Sequence, residues 1–255
     1  MPRHVPALLR RELGAYFLSP MAYLILIGFQ VIASINFYYL VDMLNRPQLR
    51  FAGLSDPMNT YISGSTMFWI AILVALPALT MRLLAEERRS GTIEGLLTAP
   101  VTEGEVVLSK WLAGLVMFWA LLLPFALYLP FLYHYGEFYF DLGPLLSLGI
   151  GLTTIGMMFV AIGVFFSALT RNQIVAAIGT FVVLFALVLM TLLVYEFAQG
   201  RGSSWAEPFR FVSVLFQVTS FGTGQLDIRY IALHLSVTVF MLYMTVKVLQ
   251  ARRGL

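Results

Sequence analysis

Six stretches of this chain, residues 21–41, 61–84, 111–133, 144–169, 174–195 and 230–248, are almost uninterruptedly apolar. Each is long enough to cross a bilayer, because a hydrocarbon core of ~30 Å divided by a helical rise of ~1.5 Å per residue asks for about 20 residues. Between their ends the stretches hold only Arg82 and Lys247, both close to an end, and His234. No water-exposed surface can be assembled from what remains. Of the 255 residues, 60% are hydrophobic and 11% charged, whereas soluble domains carry roughly 45–50% and about 25%. The mean hydropathy of +0.85 points the same way. The expected fold is an all-α integral membrane protein with six transmembrane helices, forming one domain over residues 1–255.

The basic residues set the expected orientation. With the N-terminus in the cytoplasm, eleven of the sixteen Lys and Arg residues fall in inside segments and five in outside ones. That bias puts both termini in the cytoplasm and makes the chain a multi-pass protein of the inner (cytoplasmic) membrane. The loop His134–Gly143 carries Glu137 and Asp141 but no Lys or Arg, as an outside loop should. The first apolar run begins at Met21, behind Arg3, Arg10 and Arg11, and continues to Val41 without a small-residue cleavage site. It reads as a retained span, not a cleaved signal. Net charge is +3, yet the basic residues stand singly or in pairs, so no nucleic-acid partner is expected. The absence of cysteine excludes disulfides, thiolate metal sites and cysteine nucleophiles.

Three non-spanning segments carry further information. In Val5–Leu18, a 100° period puts Val5, Leu8, Leu9, Leu13, Tyr16 and Phe17 on one face and Arg10, Arg11 and Gly14 opposite. This is an interfacial amphipathic helix, residues 5–18. Glu12 projects into the apolar arc, where a carboxylate must find a partner: either an arginine of the same helix or a contact on a cytoplasmic protein. In the cytoplasmic loop 85–110, Arg88 and Arg89 suit the last turn of a helix leaving the second span, and Gly91 suits its termination. Residues 92–98 then place Ile93, Leu96 and Leu97 at i, i+3 and i+4, a short helix with one apolar edge. Pro100 breaks the chain, and Thr102 with Glu105 forms a T-x-x-E capping box that starts the helix feeding the third span. The exposed edge of the short helix either folds back on its own bundle or seats in a partner. On the outer side, within 196–229, Gly200, Gly202, Ser203 and Ser204 make a flexible start and Pro208 begins a helix through about Thr219. That helix is too short to span, so the segment is re-entrant or lies on the surface before the sixth span.

The spans lack the midplane carboxylates and histidines of ion-coupled carriers, so energy for any transport must come from outside the chain. A P-loop needs G-x-x-x-x-G-K-[ST], and Lys110 and Lys247 follow Ser109 and Val246. His4, His134 and His234 are too dispersed for a three-histidine metal site. No catalytic, cofactor-binding or metal-binding residue is expected. Two other classes stay open: an intramembrane serine protease, for which Ser65 and His234 are the nearest pair although Ser65 lacks G-x-S-G surroundings, and a non-transporting membrane anchor subunit. Pro77, Pro124 and Pro130 are expected to kink the second and third spans. Ser147, Gly149, Gly151, Thr153, Gly156 and Gly163 give the fourth span small-residue faces, for packing within the bundle or for a homodimer seam.

The loop LLAEERRSGTIEGLLTAPVTEGEVVLSKWLA (Leu83–Ala113), the N-terminal RRELGAYFLSPMAYL (Arg10–Leu24) and the tail FGTGQLDIRYIALHLSVTVFMLYMTV (Phe221–Val246) resemble permeases of ABC-2-type ABC transporters, in particular the gliding-motility GldF-like and nitrous-oxide-accessory NosY-like branch. The chain departs from that pattern at Phe216-Gln217, where an aromatic or histidine pair is expected. The resemblance implies a permease subunit, of export type, for an unknown substrate. It implies a second permease subunit, in a homodimer or related heterodimer, and separate cytoplasmic ATPase subunits. Those partners bind the ATP and Mg, so this chain is not itself the enzyme. By position, Glu86, Glu87, Arg88, Arg89, Gly91, Thr92, Ile93, Glu94, Leu96, Leu97 and Pro100 would form the ATPase-coupling element, with the short helix docking into the ATPase. The interfacial helix bearing Arg10, Arg11 and Glu12 would connect that element to the membrane surface, against membrane lipid.

Overall fold

The computed structural model describes residues 4–45, 62, 65–91, 101–136, 142–200 and 206–253. They form helices α1 (Val5–Phe17), α2 (Pro20–Leu44), α3 (Thr66–Thr80), α4 (Arg82–Ser90), α5 (Glu103–Gly136), α6 (Leu142–Leu169), α7 (Gln173–Gly200), α8 (Ala206–Val212), α9 (Val214–Gly222) and α10 (Ile228–Arg253). The described residues contain no strand. Among the described residues, six segments are long and apolar enough to cross a membrane: Pro20–Asp42, Thr66–Ser90, Glu103–Tyr128, Leu142–Leu169, Gln173–Thr191 and Ile228–Ala251. The protein is therefore an all-helical, six-span membrane protein.

Local chemistry explains where the helices begin and end. The Ser19 N–H bonds Tyr16 O at 3.0 Å, and Pro20 then opens α2, a first-turn position where its missing N–H costs nothing. Ser65 caps α3 by accepting from Phe68 N at 3.2 Å. The start of α5 is a reciprocal capping box: Thr102 N donates to Glu105 Oε2 at 3.0 Å and Glu105 N donates to Thr102 Oγ1 at 3.3 Å. Because that box begins a helix continuous with the span, α5 starts well ahead of residue 111.

α6 is the hub, packing against α3, α4, α5, α7, α9 and α10. Its small residues make this possible. A Cβ at Gly163 would meet the Thr80 side chain, one at Gly156 the Phe118 ring and one at Gly151 the Phe221 ring. At these three positions the small-residue face serves contacts within the chain. The spans formed by α3–α4, α5 and α6 are mostly buried, whereas α2, α7 and α10 leave long apolar faces outside. Leu24, Ile27 and Val31 on α2, Ile174, Ile178 and Val182 on α7, and Val239 and Phe240 on α10 are exposed. In a bilayer such faces meet lipid at no cost.

Two elements differ from the sequence pattern. The second span is interrupted at Met81, not simply bent at Pro77. Ser167 of α6 reaches into it: its Oγ donates to Met81 O at 2.9 Å and accepts from Leu84 N at 2.9 Å and Ala85 N at 3.0 Å. In an uninterrupted helix Ala85 N would bond Met81 O directly; an inserted side chain is a recognised cause of such a break. The second difference concerns the single helix expected from Pro208 to Thr219, which is two helices parted at Ser213. Ser213 Oγ lies 2.6 Å from Thr191 Oγ on α7. Val214, Val218 and Phe221 of α9 are fully buried, so α9 packs into the bundle against α6 and does not lie on its surface.

Candidate functional site

Three helices meet at the charged end of the bundle, and each contributes an ionisable group from the middle of an apolar stripe. On α1 the row Val5, Leu9, Glu12, Tyr16 turns inward; on α4, Leu83 is followed one turn later by Glu87; on α5, Lys110 shares a face with Val106, Val107 and Ala113. The side chain of Lys110 is 1% exposed, and its Nζ lies 3.0 Å from Glu12 Oε2 and 2.9 Å from Glu87 Oε1. Arg11 closes the cluster from the solvent side, with Nη2 at 2.7 Å from Glu12 Oε1 and 3.0 Å from Glu87 Oε1. Two cations thus balance two carboxylates. Full balance is what a buried group of this kind requires, since an unpaired charge there costs several kcal/mol.

Neighbouring bonds extend the joint. Tyr16 donates its hydroxyl to Leu79 O at 2.8 Å; burial, reinforced by nearby Glu12, holds its pKa well above the usual phenol value. Arg82 uses Nε on Glu86 Oε2 at 3.0 Å and Nη1 on Ser19 Oγ at 2.6 Å, tying α4 to the α1–α2 corner. Arg88 is buried and donates to Ala168 O at the C-terminal turn of α6, a cation at the negative end of a helix. His4 N reaches Glu105 Oε1 at 3.4 Å, so α1 also touches the cap of α5. The joint therefore links α1, α4, α5 and α6.

The structure sorts the sequence-derived candidates. Glu12 has both a partner on its own helix, Arg11, and a distant one, Lys110. Glu86, Glu87 and Arg88 belong to the joint just described. Arg10 and Arg89 are exposed. Gly91 ends α4 with φ +74°, the left-handed cap conformation that glycine adopts without a Cβ penalty. Thr92, Ile93, Glu94, Leu96, Leu97 and Pro100 lie outside the described residues. Lys110, Ser167 and Ser19 are the residues that sequence patterns missed. Lys110 carried one signal, its place on an apolar row of α5, but its partners are remote in sequence.

Ser65 and His234 are not brought together. Ser65 Oγ donates to Asn36 Oδ1 at 2.8 Å. Both ring nitrogens of His234 are engaged elsewhere, Nδ1 with Thr154 Oγ1 at 3.0 Å and Nε2 with Gln217 Oε1 at 2.9 Å. Gln217, at the departure from the expected aromatic or histidine pair, also donates to Phe211 O at 2.7 Å, so its side chain ties α9 to α8 as well as to α10. A serine activated by this histidine does not fit that geometry. Among the described residues there is no group of three or more His, Cys, Asp or Glu side chains able to hold a metal ion.

These features define a multi-pass helical membrane protein whose flanking helices are locked to its spans by a buried ion cluster. The sequence matches the family model for the ABC-2 family transporter protein over residues 24–245, most of its length, and the chain belongs to that family. It is a permease component of an ABC transporter. A comparison with curated proteins finds no match.

Proposed function

We propose that the joint of α1, α4 and α5 is the transmission through which a separate cytoplasmic ATPase drives this permease. The carrying observation is the Lys110–Glu87 contact at 2.9 Å. It fastens α4 to α5, the two helices flanking residues 92–100, and Lys110 fastens both to α1 through Glu12. A push on the 92–100 segment would reach the ends of two spans as one body. In this reading Ile93, Leu96 and Leu97 seat in the ATPase. Exposed Arg89 and Glu86 rim the contact, while Arg88 works inside the bundle as the tie to α6. The ATPases carry ATP and Mg, two permease subunits face one another, and their rocking moves an unidentified substrate outward. The motif content of Leu83–Ala113 favours the gliding-motility and nitrous-oxide-accessory branch of the family.

Co-purification of the full-length chain with a candidate ATPase tests this. Leu97→Asp places a charge on the apolar edge and is expected to reduce ATPase retention and stimulated hydrolysis about ten-fold or more, the loss typical of a buried apolar anchor. Undiminished binding and stimulation in that variant would remove the docking role.

A further inference from the structure

Between α1, the start of α2 and α4 lies a cavity of about 520 Å³. Three cations, Arg11, Arg82 and Lys110, and three carboxylates, Glu12, Glu86 and Glu87, share its wall, which is therefore electrically neutral. A second hollow, of about 300 Å³ and apolar, follows the seam between α2 and α3. Two helical rows join them. On α2, Pro20 lines the first cavity, and Leu24, Gly28 and Ile32 line the second at successive i, i+4 steps; on α3 and α4, Arg82 lines the first, and Ala78, Val74 and Ile70 the second. From Pro20 to Ile32 a helix advances ~18 Å, about the depth of one leaflet of a ~30 Å core. Gly28 keeps the groove open, since nothing lies within 4 Å of where its Cβ would stand.

The charged wall has hydrogen-bonding capacity to spare. Arg82 spends Nε on Glu86 and Nη1 on Ser19, which leaves Nη2. Arg11 spends only Nη2. Glu86 engages through Oε2 and is half exposed, which leaves Oε1. Guanidinium groups are the natural partners of a phosphate. A carboxylate beside them suits a primary ammonium, which has three donors, and a trimethylated ammonium has none. A wall of zero net charge matches a zwitterion better than an anion.

We propose that this paired cavity and groove hold one phospholipid with a phosphoethanolamine headgroup. Its phosphate lies on Arg82 and Arg11, its ammonium at Glu86, and one acyl chain runs between Leu24, Gly28 and Ile32 on one side and Ile70, Val74 and Ala78 on the other. The lipid becomes a wedge beside the α1–α4–α5 joint. The assignment rests on the membrane placement of the chain alone, so it stands or falls apart from ATPase docking.

The test uses the purified full-length chain, stripped of lipid in detergent and offered phosphatidylethanolamine, phosphatidylcholine or phosphatidylglycerol of matched acyl chains, with native mass spectrometry as the readout. One phosphatidylethanolamine per chain is expected to be retained about ten-fold better than either competitor, as for a lost charge-assisted bond. A phosphatidylethanolamine carrying a photoreactive acyl chain is expected to label peptides covering residues 24–32 and 70–78. Arg82→Ala should lower retention about ten-fold by removing the phosphate contact, and Gly28→Leu should do so by filling the groove. Gly28→Leu also keeps the test decisive should Arg82→Ala fail to fold, because its added side chain enters open space. Equal retention of the three lipids, label spread over the exposed faces of α7 and α10, or wild-type retention by Gly28→Leu would each overturn the proposal. So would displacement by glycerophosphoethanolamine alone as effective as displacement by the intact lipid.

Discussion

Lys110 shows how a membrane protein can carry a buried charge by pairing it with carboxylates. At 1% exposure its ammonium has lost its hydration, a penalty of several kcal/mol, and two carboxylates at 3.0 Å and 2.9 Å replace the lost water. Such a cluster contributes little beyond an apolar core of the same shape, but it is costly to break in part. Lys110→Ala leaves Glu12 and Glu87 facing one another with only the half-exposed Arg11 nearby, and is expected to destabilise the protein by about 3–5 kcal/mol. The triple variant Lys110→Met, Glu12→Gln, Glu87→Gln should recover most of that loss. Denaturation midpoints in detergent, compared across the single and triple variants, check both statements, and a Lys110→Ala protein as stable as the parent would refute the cluster. Half of this site was legible beforehand. The helical period placed Glu12 in an apolar arc and so demanded a partner, and adjacent Arg11 is one. The other half was not, because Lys110 lies 98 residues away and only the tertiary fold brings α5 beside α1.

The same division holds for whole elements. Apolar runs announce helices of spanning length whatever their neighbours do, which is why six spans could be read directly. The glycines of α6 announced a close-packed face, and Thr80, Phe118 and Phe221 occupy it. The interruption between α3 and α4 had no such local sign: Pro77 is within α3, whereas the break falls one turn later because Ser167 on another helix intercepts the ladder. Ser167→Ala is expected to let Ala85 N close on Met81 O and straighten the junction, while Leu84 N loses its buried acceptor at a cost of about 1–3 kcal/mol. Slower hydrogen exchange at Ala85 with faster exchange at Leu84 would report that exchange of partners. Because Arg88 and Ser167 both fasten α4 to α6, the variant should also weaken ATPase stimulation more than it weakens ATPase binding. Equal loss of both would place Ser167 in folding alone.

At the scale of the molecule, orientation decides whether the joint faces an energy source at all. The six-span order puts the α4 terminus at Ser90 and the α6–α7 turn at Arg171 on one side, and the α9–α10 turn at Gln225 on the other. By the excess of Lys and Arg, the first side is the one expected to face the cytoplasm. Lys110 and Arg82 sit in buried or paired positions, so topology rests on the exposed basic residues, Arg89 and Arg171 among them. The chain has no cysteine, which makes every introduced thiol a unique reporter. Ser90, Arg171 and Gln225 are all exposed, so single cysteines there should leave the packing intact. A membrane-impermeant maleimide added to intact cells is expected to modify Gln225→Cys and to spare Ser90→Cys and Arg171→Cys, with the pattern reversed in inside-out vesicles. The opposite result would turn residues 92–100 away from the cytoplasm, and no cytoplasmic ATPase could then reach the helices that Lys110 ties together.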